Sequence, residues 1–209
     1  MKLYDFGGAP NPRRLRIFLA EKRISVPTEQ VDLMAGEQLQ DSFRAINPFC
    51  TVPALELDDG TCISEVMAIC RYFEALQPEP PLMGITPEEQ GTIAMWEHRI
   101  EINGMLAVGD ALRNSVDRFA GRAMPGPLDL EQIPDLIDRG KKRTDHFLEV
   151  LDERFGESEH LAGPNFSVAD ITALVAVDFA GRIDKGIPDS HANLKRWHDA
   201  VYVRPSAQA

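Results

Sequence analysis

The side chains from which metal centres and covalent nucleophile sites are built are sparse in this chain. The three cysteines, Cys50, Cys62 and Cys70, are odd in number and contain no C-x-x-C pair. That argues against a disulfide framework or a two-cysteine redox motif and suits a reducing compartment. The five histidines, His98, His146, His160, His191 and His198, show neither H-x-x-x-H nor mixed Cys/His spacing, so no metal site is expected. What remains is chemistry done by helix starts and exposed backbone. Asn11-Pro12 reads as a helix start, with Asn as N-cap and Pro in the first turn. Val52-Pro53 stands just before a strand signal; an X-Pro bond there is a candidate cis peptide, needing about 0.5–1 kcal/mol of help from the fold. Glu65-Val66 opens another helix, whose free N–H groups and partial positive charge suit a carboxylate. Glu65 there complements the helix dipole.

The elements that must position these residues fall into two halves with different patterning. Across residues 1–77 short strands and helices alternate. Lys2 to Phe6 is a strand ending at Gly7-Gly8, and the helix after it buries Leu15, Phe18 and Leu19 at three- and four-residue spacing. Thr28 to Leu33 reads as a second strand and Gln40 to Ile46 as a short helix. Val52 to Leu57 and Thr61 to Ile63 flank Asp58-Asp59-Gly60, an Asp-Gly hairpin signal. The next helix buries Val66, Ile69, Cys70, Phe73 and Leu76. Prolines at 78, 80 and 81 then end regular structure, and residues 78–85 are expected as a linker.

Across residues 86–209 the strand signal is gone. Thr86-Pro87-Glu88-Glu89 and Ser167-Val168-Ala169-Asp170 are capping boxes, a long helix is expected from Glu131 to Phe155, and Leu194, Trp197, His198 and Val201 form the stripe of a last helix. An all-helical domain is expected there.

The charge balance narrows the partners. With 33 acidic against 22 basic residues the formal charge is −11, which repels nucleic-acid backbones and anionic lipid. Arg13, Arg14 and Arg16 cluster locally and read as the solvated N-terminal face of one helix. No apolar run approaches the roughly 20 residues of a membrane span. The N-terminus lacks a signal-peptide pattern, so a cytoplasmic address is expected.

Three stretches together resemble the cytosolic glutathione S-transferase superfamily. They are Ala9 to Arg16, Ile46 to Pro53 continuing through Asp59-Gly60-Thr61 to Glu65 and Ala68-Ile69, and Leu161-Ala162-Gly163 with Phe166 to Asp170. The Pro-Asn at 10–11 is similar to that of the bacterial and fungal nu class. The resemblance implies an α/β thioredoxin-like domain (1–77) and an all-α domain (86–209), with glutathione as co-substrate and a symmetric homodimer as the assembly. It implies that Val52, before a cis Pro53, pairs its N–H and C=O with the cysteinyl part of glutathione. Glu65 would take the ligand's ammonium group, Val66 the γ-glutamyl carboxylate through its backbone N–H, and Gln38 and Thr51 the glycyl carboxylate. For Gln38 and Thr51 an exposed loop position is the competing reading. The second domain would form the acceptor wall, to which Met95, Trp96 and Arg99 could contribute if they are not core or dimer packing.

Two departures bear on activity. Relatives usually carry Ser or Thr where this chain has Val66, and the lost hydroxyl bond is worth about 1.5–3 kcal/mol, or about ten- to a hundredfold in affinity. Relatives also aim a Tyr, Ser or Cys at the glutathione sulfur, where this chain has Gly8-Ala9-Pro10-Asn11. Asn11 could donate its N–H₂ to the thiolate, or it could only cap the helix. Tyr4 is a distant substitute, and Cys50 reads as a bystander thiol. Two functions are therefore open. One is an enzyme that uses the glutathione thiolate on a small electrophile or disulfide; the other is a non-catalytic protein of the same fold that binds a ligand or another protein.

Overall fold

The computed structural model describes residues Met1 to Ala209, and its contacts separate them into two units. The first comprises Met1–Pro80 with Pro125–Leu128 and Ala209, the second Pro81–Met124 with Asp129–Gln208. In the first, the chain runs β1 (Lys2–Asp5), α1 (Pro10–Glu21), β2 (Thr28–Gln30), α2 (Asp41–Arg44), β3 (Ala54–Glu56), β4 (Cys62–Ser64) and α3 (Val66–Leu76). The four strands form one sheet in the order β2-β1-β3-β4. β1 is parallel to β2 and antiparallel to β3, and β3 is antiparallel to β4. A parallel pair requires a crossover; α1 supplies it and buries Leu15, Ile17, Phe18 and Leu19. The β3–β4 hairpin turns at Gly60, whose φ of +83° glycine adopts without strain. This is the expected thioredoxin-like arrangement.

Three expectations shift by local chemistry. α1 begins at Pro10 with Ala9 as its N-cap, so Asn11 lies inside the first turn and does not cap the helix. The reason is that Pro10, like Pro12, is suited to the first helical turn, and the chain uses the earlier one. β2 stops at Gln30 because the Asp32 carboxylate accepts from the N–H groups of Met34 (2.8 Å) and Ala35 (3.0 Å), turning the chain. The Arg13–Arg16 cluster is not simply a solvated face: Arg14 is 2% exposed, and Arg16 grips both oxygens of Asp5 at 2.9 and 3.1 Å.

Past α3 the chain is fastened to the end of α1. Lys22 is buried; its Nζ reaches the Glu74 carboxylate at 2.6 Å and donates to the carbonyls of Gln77 (2.8 Å) and Pro80 (2.7 Å). The Gln77 amide donates back to the Lys22 carbonyl. An interior ammonium is tolerable when it is fully coordinated in this way.

The second unit holds α4 (Pro87–Ile100), a π-helical turn (Glu101–Met105), α5 (Leu106–Ser115), α6 (Asp135–Glu157), α7 (Val168–Ala180) and α8 (Ala192–Tyr202). The Thr86 box is complete: Thr86 Oγ1 accepts from Glu89 N–H and Glu89 accepts from Thr86 N–H, each at 3.2 Å. α7 is buried on nearly every side and forms the unit's core helix. Gly104 permits the close packing of the π turn, because a Cβ there would lie 2.8 Å from the Phe147 ring. α6 starts at Asp135, later than Glu131, because the preceding residues are used to tie the loop down. Gln132 donates to the carbonyls of Arg113 and Val116, and Ile133 N–H donates to Asn114 Oδ1. No helix is long and apolar enough to cross a membrane.

Candidate functional site

The sheet register brings the sequence-predicted residues of the first unit to one end of the sheet. Tyr4 is opposite Ala54, Ala54 is opposite Ser64, and Asp5 is beside Gln30. The segments leaving β1 and β2, entering β3 and leaving β4 therefore all emerge at that end. They carry, in turn, Asn11, Gln38, Thr51-Val52-Pro53 and Glu65-Val66.

The Val52-Pro53 peptide is cis. The Val52 side chain is buried with Tyr4, Val31, Phe43 and Ala54. Its N–H and C=O take part in no hydrogen bond of the chain and remain as an unpaired strand edge. The loop before it is held by Asn47, itself buried, whose Nδ2 donates to the Thr51 carbonyl (2.8 Å) and to Thr51 Oγ1 (3.1 Å). Thr51 is half-buried, and since its oxygen is the acceptor here, the hydroxyl proton is left to donate elsewhere.

Glu65 occupies the N-cap position of α3. It is exposed and held at φ +70°, in a region that costs a non-glycine residue roughly 1–3 kcal/mol. Its side chain makes no capping bond, so the helix N-terminus stays open. Val66 is 6% exposed and packs into the core, which is why an apolar residue is comfortable there. Gln38 lies on a short 3₁₀ turn (Glu37–Leu39) and is buried, with Oε1 shut off from solvent and unpartnered. The exposed-loop alternative is thus excluded for Gln38.

Asn11 is oriented by Arg14, which the sequence grouped only with a basic cluster. Arg14 Nη1 donates to Asn11 Oδ1 at 2.9 Å. A guanidinium only donates, so the carboxamide must present its oxygen to Arg14, and Nδ2 is left as a donor. Arg14 sits one helical turn on, a spacing that could have pointed to the pair.

The competing groups are occupied. Tyr4 donates its hydroxyl to Glu56 at 2.8 Å, and burial pushes the phenol above its ordinary value. The Cys50 thiol is buried and points at the Pro48 carbonyl, 3.6 Å away. The Cys62 thiol is raised by burial and then by the Glu56 carboxylate. In the second unit Trp96 is buried beneath the guanidiniums of Arg99 (5.1 Å) and Arg154 (5.7 Å), while Met95 is exposed.

Comparison with known proteins is consistent along the chain. The model of the glutathione S-transferase N-terminal domain matches residues 9–76, and that of the glutathione S-transferase C-terminal domain matches residues 118–205. Glutathione S-transferase 2 of Saccharomyces cerevisiae is 35% identical over 100% of this chain and 88% of its own length. The crystal structure of a glutathione S-transferase domain-containing protein from Marinobacter aquaeolei is 41% identical, with a TM-score of 0.89 over 99% of each chain. That of a Gtt2-class glutathione S-transferase from Vibrio parahaemolyticus is 32% identical, with a TM-score of 0.85 over 100% of this chain and 96% of that one.

Proposed function

Because the chain belongs to the glutathione S-transferase family, we propose that its sheet-end site binds glutathione and uses the bound thiolate on a small electrophile or disulfide. The observation that carries this reading is the unpaired Val52 edge, whose N–H and C=O suit the backbone of a peptide laid alongside as an added strand. The open start of α3 suits the γ-glutamyl carboxylate, through backbone N–H groups and the helix dipole. Glu65 takes the ammonium group of the same moiety, and Gln38 and Thr51 serve the glycyl carboxylate.

Catalysis then falls to Asn11. A free thiol ionises near pH 8.5, and each unit of lowering requires about 1.4 kcal/mol of preference for the thiolate. The remaining donor of Asn11, Nδ2, supplies a hydrogen bond to the anion without exchanging a proton, which is electrostatic stabilisation. The sulfur lone pair forms the new C–S or S–S bond, and the leaving group departs with the bonding pair. The working form is a homodimer in the cytoplasm, with residues 1–77 as the glutathione-binding domain, 78–85 as linker and 86–209 as the helical domain.

A second reading has one specific observation in its favour. Val66 is buried and offers no hydroxyl, so the pocket is weaker than one with Ser or Thr there. On that reading the protein binds a ligand or another protein and does not catalyse.

Calorimetric titration with glutathione, beside Val66→Ser, separates the two. Saturable binding in the parent, tightened by about ten- to a hundredfold in the variant, is expected. Binding in the variant alone would favour the non-catalytic role, and silence in both would remove glutathione from the assignment. Conjugation and disulfide-exchange assays then distinguish the two reactions.

A further inference from the structure

The segment joining α5 to α6 collects positive charge in a chain of formal charge −11. We propose that Arg113 and Arg118, which share the Phe119 ring in the second unit, together with the neighbouring Arg122 form a binding site for a small oxyanion, the carboxylate or phosphate group of an organic acid. The site is separate from the glutathione reading and does not rest on it.

The arrangement is built rather than incidental. The Arg113 and Arg118 guanidinium carbons lie 4.3 and 4.8 Å from the centroid of the Phe119 ring. Arg113 also donates to the main-chain carbonyl of Arg122, which brings the backbone of the third arginine to the first. The loop is pinned along its length: Arg122 N–H donates to the Phe119 carbonyl (2.8 Å), Leu130 N–H to Gly121 (2.8 Å), and Ala123 N–H to Leu130 (2.9 Å). Gln132 clamps the carbonyls of Arg113 and Val116 beneath it. The Arg113 and Arg118 guanidiniums are thereby held over one ring, and Arg122 lies close enough for its charge to act on Arg113.

They lack the counter-charge that such a cluster needs. Asp117, Asp129 and Glu131 share the segment, yet none forms an ion pair with these arginines. Asp110, one turn before Arg113, faces Arg139 (3.3 Å) and Arg143 (3.9 Å) instead. Arg113 Nε is closed off from solvent with no acceptor. Consistently, burial and then the charges of Arg122 and Arg118 hold the Arg113 guanidinium down at about 10. Concentrated like charge at a partly buried place repels itself and attracts anions. The planar guanidinium fork matches carboxylate and phosphate oxygens, and bonds to such anions are charge-assisted.

The probes are citrate and inorganic phosphate, titrated separately by calorimetry into the full chain at ionic strength held constant with chloride. At least one is expected to bind saturably, and the preferred probe tells carboxylate from phosphate. Arg118→Gln and Arg122→Gln are each expected to weaken binding about tenfold, the effect of one charge-assisted bond. Arg118→Lys keeps the charge and should retain most of the affinity. Arg118 is exposed, so its variants should keep the parent's circular dichroism, and without anion at low salt Arg118→Gln should melt no lower than the parent. Failure of both probes to bind the parent, or equal binding by the parent and both Gln variants, would overturn the proposal.

Discussion

Gln38 and Val66 pull stability and binding in opposite directions. A buried amide oxygen without a partner costs the fold about 1–3 kcal/mol, and Gln38 Oε1 is such an atom. Gln38→Leu removes the unsatisfied group at similar volume. It is expected to unfold in urea at or above the parent's midpoint while losing about tenfold or more in glutathione affinity. A variant that loses stability and keeps its affinity would place Gln38 in the fold alone. Val66→Ser is the mirror case: it gains a ligand bond but gives up a buried apolar side chain, at about 1–2 kcal/mol of stability. Glu65 belongs with Gln38, since its φ of +70° is a local cost that packing alone does not explain.

At the scale of elements, α7 is held by its start. Asp170 is fully buried and accepts from Ser167 N–H (3.0 Å), Ser167 Oγ (2.9 Å) and Leu161 N–H (3.0 Å). Asp170→Ala strands these buried donors and is expected to cost about 3 kcal/mol or more in urea unfolding. Asp170→Asn, which keeps one acceptor oxygen, should cost less; a loss below about 1 kcal/mol for the alanine variant would show that the cap is dispensable. This element was legible in the sequence because Ser167-x-x-Asp170 is a local pattern, as are the Asp-Gly hairpin and the Thr86 box. The start of α1 was less legible because Pro10 and Pro12 both suit a first helical turn. The end of β2 depended on which backbone groups Asp32 would accept from. Least legible were the non-local pairs. Nothing in the spacing of Arg16 and Asp5 announces their bond, and the burial of Gln38 depends on what covers a short turn between distant strands.

At the scale of the whole molecule, the strong negative charge coexists with a few interior or uncompensated cations, and Lys22 is the most enclosed of them. Every proton of its ammonium group is directed at a carbonyl or a carboxylate where α1 meets the chain leaving α3. An amine in that position is chemically silent. Lys142 and Lys195 project into solvent and should take up an acylating reagent at about the rate of a free peptide. Lys22 should react only in the fraction of time for which the joint is open. Its labelling rate, read by mass spectrometry over minutes to days, is then a clock for that opening, and a rate equal to that of Lys195 would mean the joint never closes. Because the joint lies at the end of the first unit's long segment, Met1–Pro80, the clock times the loosening of the chain just before it leaves that segment.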